Sequence, residues 1–335
     1  LTTSGLLNHR FILFVFLSLA VLPFLSDSRS MYILFTQIFI FAIFAMSFDL
    51  LLGYTGIVSF GHCMFFGIGA YSVSLFLKNF DATIGYFLLG VLVAIVLSGI
   101  LSYVIGMLSL RLKSHFYAML TLAISQLLFV LAEKWRSLTM GGDGFTFPVP
   151  ELFRDRLSFY YVCLILMVML FVILRAFTRS PLGKVLKAIG QNEQRAEALG
   201  YQILHYKVIV SIVAGVVAAI SGGLYAVMLR FVNTQVFSIE TTLDALLMSM
   251  IGGLGTLFGS ILGSGIVELA HHGLTELAKL HPIFERWVIF LGLLYILVVL
   301  CFPSGIVGSF QEWREKRKQR SVQAATITEQ VEGSK

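Results

Sequence analysis

The stretch 239–272, IETTLDALLMSMIGGLGTLFGSILGSGIVELAHH, decides how the rest of the chain is arranged. It is predominantly apolar and interrupted by Gly252-Gly253-Leu254-Gly255. A membrane span needs about 20 apolar residues, so the stretch suits either one long crossing or two shorter arms. Charge separates the two. Arg10 marks the N-terminus as cytoplasmic under the positive-inside rule. Alternation then places Arg111, Lys113 and the basic segment containing Arg179, Lys184, Lys187, Arg195 and Lys207 on the same side. The tail, with Arg314, Lys316, Arg317, Lys318 and Arg320, belongs there too. One crossing in 239–272 would put the tail outside; two arms hinged at Gly252–Gly255 return it inside. The first arm is short enough to be a re-entrant half-helix.

Working outward, further apolar runs lie near 11–25, 31–52, 56–77, 84–107, 114–132, 158–177, 206–230 and 286–302. The expected fold is all-α, a polytopic bundle of about ten segments with interrupted or re-entrant helices and both termini cytoplasmic. The membrane domain covers 1–310, with a cytoplasmic segment at 178–205 and a polar, disordered tail at 311–335. The run from Phe11 to Leu25 reads as an uncleaved first span, because Ser26-Asp27-Ser28-Arg29 offers no small-residue cleavage site. The outer loop 133–157 carries Lys134, Arg136, Arg154 and Arg156 against the rule, offset by Glu133, Asp143, Glu151 and Asp155.

Composition agrees. Hydrophobic residues make up 58% and charged residues 13%, with a mean hydropathy of +0.89. Soluble domains carry about 25% charged residues. The net charge of +6 is confined to short inter-span segments and the tail, which argues against nucleic acid as a partner and for the membrane surface. Cys63, Cys163 and Cys301 show no metal or redox spacing and read as buried thiols.

A second glycine break, Gly53-Tyr54-Thr55-Gly56, separates two spans and is followed by Gly61, Gly67 and Gly69. Its spacing matches that of Gly252 and Gly255, a hint of an internal repeat. Backbone that leaves helical geometry at membrane depth must be buried in protein or line a watery cavity. Paired interruptions in two halves point to a translocation path, while close helix packing is the competing explanation. The path residues expected on this reading are Gly53, Tyr54, Gly56, Gly61, His62, Gly67, Gly252, Gly253, Gly255 and Gly259. Asp49, Asp244 and Glu268 are ionisable residues in or beside spans, where charge is costly and often functional.

The segment from Ser180 to Gly200 reads as two short helices. Ser180 caps and Pro181 fits the first helical position. Leu182, Val185, Leu186 and Ile189 share one face, opposite Lys184 and Lys187. Asn192 starts a second run through Glu197, closed by Gly200. The apolar face suits a partner's groove or lipid headgroups. If it docks a partner, charged residues at Leu186 and Ile189 abolish transport and leave insertion intact.

The run DLLLGYTGIVSFGHCMFFGIGAY from Asp49 to Tyr71 resembles the signature of LivM-type permeases of ABC importers, which handle branched-chain amino acids, with relatives for urea and short amides. MGGDGF at 140–145, EALG at 197–200 and GGLGTLFGS at 252–260 agree with it. Cys63 and Met64 depart from the small residues usual there. The resemblance implies a pore-forming subunit that works by alternating access in a bacterial inner membrane, paired with a related second permease subunit. Two ATPase subunits carrying ATP and Mg would bind Leu182, Val185, Leu186, Ile189, Glu197 and Gly200. A periplasmic binding protein would meet Gly141, Gly142, Asp143 and Gly144. The chain has no G-x-x-x-x-G-K-[ST] phosphate loop, so it is expected to be no enzyme and to carry no cofactor itself. A secondary carrier would need intramembrane ion ligands, which the sequence does not assemble. His271 and His272 with Glu268 and Glu276 superficially suggest a metal site but lack a further convincing ligand, and none is expected.

Overall fold

A computed structural model describes residues 16–23, 28–109, 114–278, 287–301 and 305–309. The expected tail 311–335 and the two ends of the first span, 11–15 and 24–25, lie outside these residues. Long apolar helices dominate: α1 (Arg29–Thr55), α2 (Cys63–Asn79), α3 (Ile84–Ser109), α4 (Ser114–Lys134), α5 (Arg156–Arg179), α8 (Ile203–Leu229), α9 (Ile239–Gly252), α10 (Leu257–Ala278) and α11 (Trp287–Cys301). Two short helices, α6 (Pro181–Gln191) and α7 (Glu193–Ala198), lie between α5 and α8. A two-residue ribbon pairs β1 (Phe145–Thr146) antiparallel with β2 (Phe231–Val232), matching Phe145 to Val232. The chain is an all-α, multi-pass membrane protein. Five helices are each long and apolar enough to cross, and α9 with α10 forms a pair bent by 114°. That bend is the two-armed form of 239–272, with α9 too short for a full crossing at 14 residues.

The bundle has two distinct ends. α6 and α7 mark one, called proximal here; the β-ribbon marks the other, called distal. Gly305 packs against the Cα of Gly253, so the chain returns to the proximal end after α11.

α1 is the central post. It packs against α5, α6, α8, α9 and α10, meets α2 through Phe44 and Phe66 with ring centroids 4.8 Å apart, and is buried along most of its length. Its spare carbonyl lone pairs accept hydroxyl groups from three neighbours. Ser221 Oγ donates to Ile40 O at 2.7 Å, Ser249 Oγ to Ala45 O at 3.1 Å and Ser264 Oγ to Ile38 O at 3.4 Å. Between membrane helices such bonds and small residues replace the hydrophobic drive that lipid cannot supply. Gly69 faces the Ala219 carbonyl and Gly222 the Phe66 carbonyl, so α2 and α8 cross with backbones in contact.

One expected span is different. The apolar run 56–77 is not one helix: residues 56–59 have no regular structure, a turn covers 60–62 and α2 starts at Cys63. Gly56, left-handed at φ 69°, caps α1, and the chain doubles back along it. Ile57 N donates to Leu51 O at 3.2 Å, and His62 Nε2 lies 2.9 Å from Ser47 Oγ. Ile57, Ser59, Gly61 and His62 are buried, which is how non-helical backbone survives at this depth.

Gly222→Leu is expected to lower the thermal unfolding midpoint of the purified protein in detergent, because overpacking costs about 1–3 kcal/mol or more. Gly99→Leu, where the added side chain meets open space, should leave it unchanged. Equal midpoints for the two variants would contradict the backbone contact.

Candidate functional site

The two glycine breaks meet at the proximal end. Asp49 Oδ1 accepts the Gly255 N–H at 2.7 Å, and a Cβ on Gly53 would strike both that carboxylate and the Gly255 backbone. Gly255 itself takes φ 75°, a left-handed conformation that suits glycine. The Asp49 side chain is fully buried, and its Oδ2 has no hydrogen-bond partner among the described residues.

The cytoplasmic segment of the sequence reading rests on the same place. Ser180 caps α6 by accepting the Gly183 N–H at 3.3 Å, and Asn192 Oδ1 caps α7 by accepting the Arg195 N–H at 2.9 Å. Gly190 presses on the Tyr54 carbonyl, and Lys187 Nζ lies 4.8 Å from the Tyr54 ring centroid. Partial burial there holds the Lys187 ammonium below the usual lysine range, opposed by the Asp49 carboxylate. α7 is tied down by the ion pair of Glu193 with Lys207 at 2.8 Å.

The expected docking stripe is largely covered within this chain. Leu186 and Ile189 are 1% and 3% exposed because α6 turns its apolar stripe into its own bundle, and Leu182 and Val185 are half-buried. Amphipathicity identified the buried face but not its partner. The outward surface is Lys184, Ala188, Gln191, Gln194, Arg195, Glu197, Leu199 and Gly200. Leu199 is 71% exposed.

Most of the expected path residues are closely approached by neighbours in this chain. Gly61 meets the Thr121 carbonyl, Gly67 the Phe237 ring and Gly252 the Gly259 carbonyl. His62 is sealed among Phe44, Phe48 and Phe65, with ring centroids at 5.5, 5.7 and 5.7 Å. Tyr54 and Gly253 are also buried, whereas Gly56 is exposed and Gly53 and Gly255 are intermediate. Cys63 and Met64 are fully buried. The Cys63 N–H donates to Thr242 Oγ1 at 2.9 Å, and its Sγ lies 3.1 Å from Ser125 Oγ.

At the distal end the MGGDGF stretch is a fixed turn. Thr139 Oγ1 donates to Ala132 O at 2.5 Å and accepts the Gly141 N–H at 3.2 Å. Gly144 abuts the Val232 carbonyl, which joins the turn to the β-ribbon. Gly141 is buried, and Met140, Gly142 and Asp143 are the exposed members. Beside the ribbon, at the start of α9, opens a cleft of about 350 Å³ walled by Phe41, Phe66 and Tyr225 and edged by Glu240, Thr241 and Asp244. Asp244 stood out in the sequence; Glu240 and the aromatic wall did not. Glu268 accepts from Gln37 Nε2 at 2.9 Å, and no group of three metal-ligating side chains forms among the described residues.

Residues 30–299 match the family described as branched-chain amino acid transport system, permease component. The high-affinity branched-chain amino acid transport system permease protein LivM of Escherichia coli is 24% identical over 90% of this chain and 75% of its own length. Its Salmonella typhimurium counterpart is 24% identical over 81% and 68%. A probable LivM of Methanocaldococcus jannaschii is 23% identical over 80% and 90%. No solved structure gives a significant match.

Asp49→Ala should destabilise the protein relative to Asp49→Asn, since a buried N–H stripped of its acceptor costs about 1–3 kcal/mol and asparagine still offers an oxygen to Gly255. Thermal unfolding in detergent checks this; an alanine variant as stable as the asparagine variant would refute it.

Proposed function

Because the chain belongs to the permease components of branched-chain amino acid transport systems, we propose that it is the pore-forming subunit of an ATP-driven importer for branched-chain amino acids, working by alternating access. The observation that carries the mechanism is the seat of α6 on the end of α1, where Gly190 touches Tyr54. Force applied to α6 and α7 meets Tyr54 and Gly53 first, then the Asp49–Gly255 hydrogen bond, and through it the hinge between α9 and α10. Interfaces of this kind switch between discrete packings rather than deforming continuously.

Two ATPase subunits, supplying ATP and Mg, bind the outward surface of segment 178–205 around Lys184, Glu197, Leu199 and Gly200. Leu182, Val185, Leu186 and Ile189 act from behind, as the packing that makes the segment move as a unit. A related second permease subunit completes the path. Gly53, Gly56 and Gly255 serve it as a hinge, and the remaining glycines hold helices close around it. A periplasmic binding protein meets the turn at Gly142 and Asp143, whose rigidity suits docking. The setting is a bacterial inner membrane with the proximal end cytoplasmic, in keeping with Lys184, Lys187 and Arg195 there.

Reconstitution of the permease pair with its ATPases and binding protein, with ATP inside and labelled leucine outside, tests the function; absence of ATP-dependent leucine uptake would refute it. Glu197→Lys with Leu199→Asp should release the ATPases during copurification without moving the thermal midpoint. Leu186→Lys should lower that midpoint, because it forces a charge into a packed core. Retained ATPases in the double variant would overturn the assignment of the docking surface.

A further inference from the structure

The cleft beside the β-ribbon has a chemistry of its own. Its aromatic wall is a contiguous group: Phe66 and Tyr225 have ring centroids 5.3 Å apart, Phe41 and Tyr225 5.6 Å, and Phe41 and Phe66 6.3 Å. The rings come from α1, α2 and α8, so three spanning helices converge on it. Its rim carries two carboxylates, Glu240 and Asp244, both exposed and one helical turn apart on α9. No lysine, arginine or histidine lines it. Neither carboxylate forms an ion pair among the described residues, where the one pair joins Lys207 to Glu193.

Such a site excludes anions and offers a small cation opposite charge at its rim, beside the partly exposed ring of Tyr225. An aromatic face attracts an ammonium group within about 6 Å of its centroid, and two carboxylates at one rim add their attraction for the same cation. The volume of about 350 Å³ accommodates a single amino acid. The cleft also opens at the first turns of α9, the arm whose far end is the hinge at Gly252–Gly255. A ligand held here therefore touches the element that the proximal junction moves.

We propose that this cleft is a subsite for the ammonium group of the transported amino acid, with Asp244 and Glu240 as its counter-charges and Phe41, Phe66 and Tyr225 as the wall for its apolar part. The proposal rests on the reading of the chain as an amino-acid permease. The substrate carboxylate has no counter-charge among the lining residues and faces out of the cleft.

The test uses the complete reconstituted transporter and three versions of this subunit: wild type, Asp244→Asn with Glu240→Gln, and Asp244→Glu with Glu240→Asp. Labelled leucine and labelled urea are supplied separately, and the thermal midpoint and copurification of the ATPases verify assembly. Leucine uptake should fall at least tenfold in the amide variant and recover to within about threefold of wild type in the acid-preserving variant, since a charge-assisted contact contributes about 1.5–3 kcal/mol. An assembled amide variant that takes up leucine at the wild-type rate would overturn the subsite and leave the transport function standing. Wild-type uptake of urea and not of leucine would overturn the functional reading and, with it, an ammonium subsite.

Discussion

The hydrogen bond from the Gly255 N–H to the Asp49 carboxylate is the constraint around which the proximal end is organised. Two stretches of chain leave helical geometry there, at Gly56 and at Gly253–Gly255, and their freed backbone groups must find partners inside the protein. Asp49 supplies one from the last turns of α1. The absence of side chains at Gly53 and Gly255 lets the two breaks approach until their backbones touch. α6 then sits on the same spot through Gly190, and residue Gly305 closes it from the other side. The segment on which a partner would act and the hinge that would respond are thus neighbours, with one buried carboxylate between them.

Much of this was legible in the sequence. Hydropathy locates most of the spans, and the parity of basic residues divides 239–272 into two arms. The caps at Ser180 and Asn192 were readable because capping is local chemistry. What could not be read was which surface each element would meet. Leu186 and Ile189 have the same pattern whether an apolar stripe faces a partner or its own bundle. Gly61, Gly67 and Gly252 look alike in sequence whether they line a channel or press against a carbonyl.

The third span failed for a related reason. Residues 56–62 run on into the apolar stretch of α2, and hydropathy does not distinguish a helix from buried irregular chain. The cleft was hidden differently. Phe41, Phe66 and Tyr225 lie in three separate helices, each where an ordinary core aromatic would be, and only the tertiary arrangement gathers them beside Asp244.

The break between α1 and α2 also bears on how the subunit is made. The first free amide of α2, that of Cys63, finds its acceptor in Thr242, 179 residues further along the chain. Until the ribosome has passed that threonine, the amide has no such partner, and an unsatisfied group in hydrocarbon costs several kcal/mol. The core of this protein therefore cannot be completed span by span as the chain emerges. It is finished only when a late arm returns to an early one, which makes the order of synthesis part of the fold.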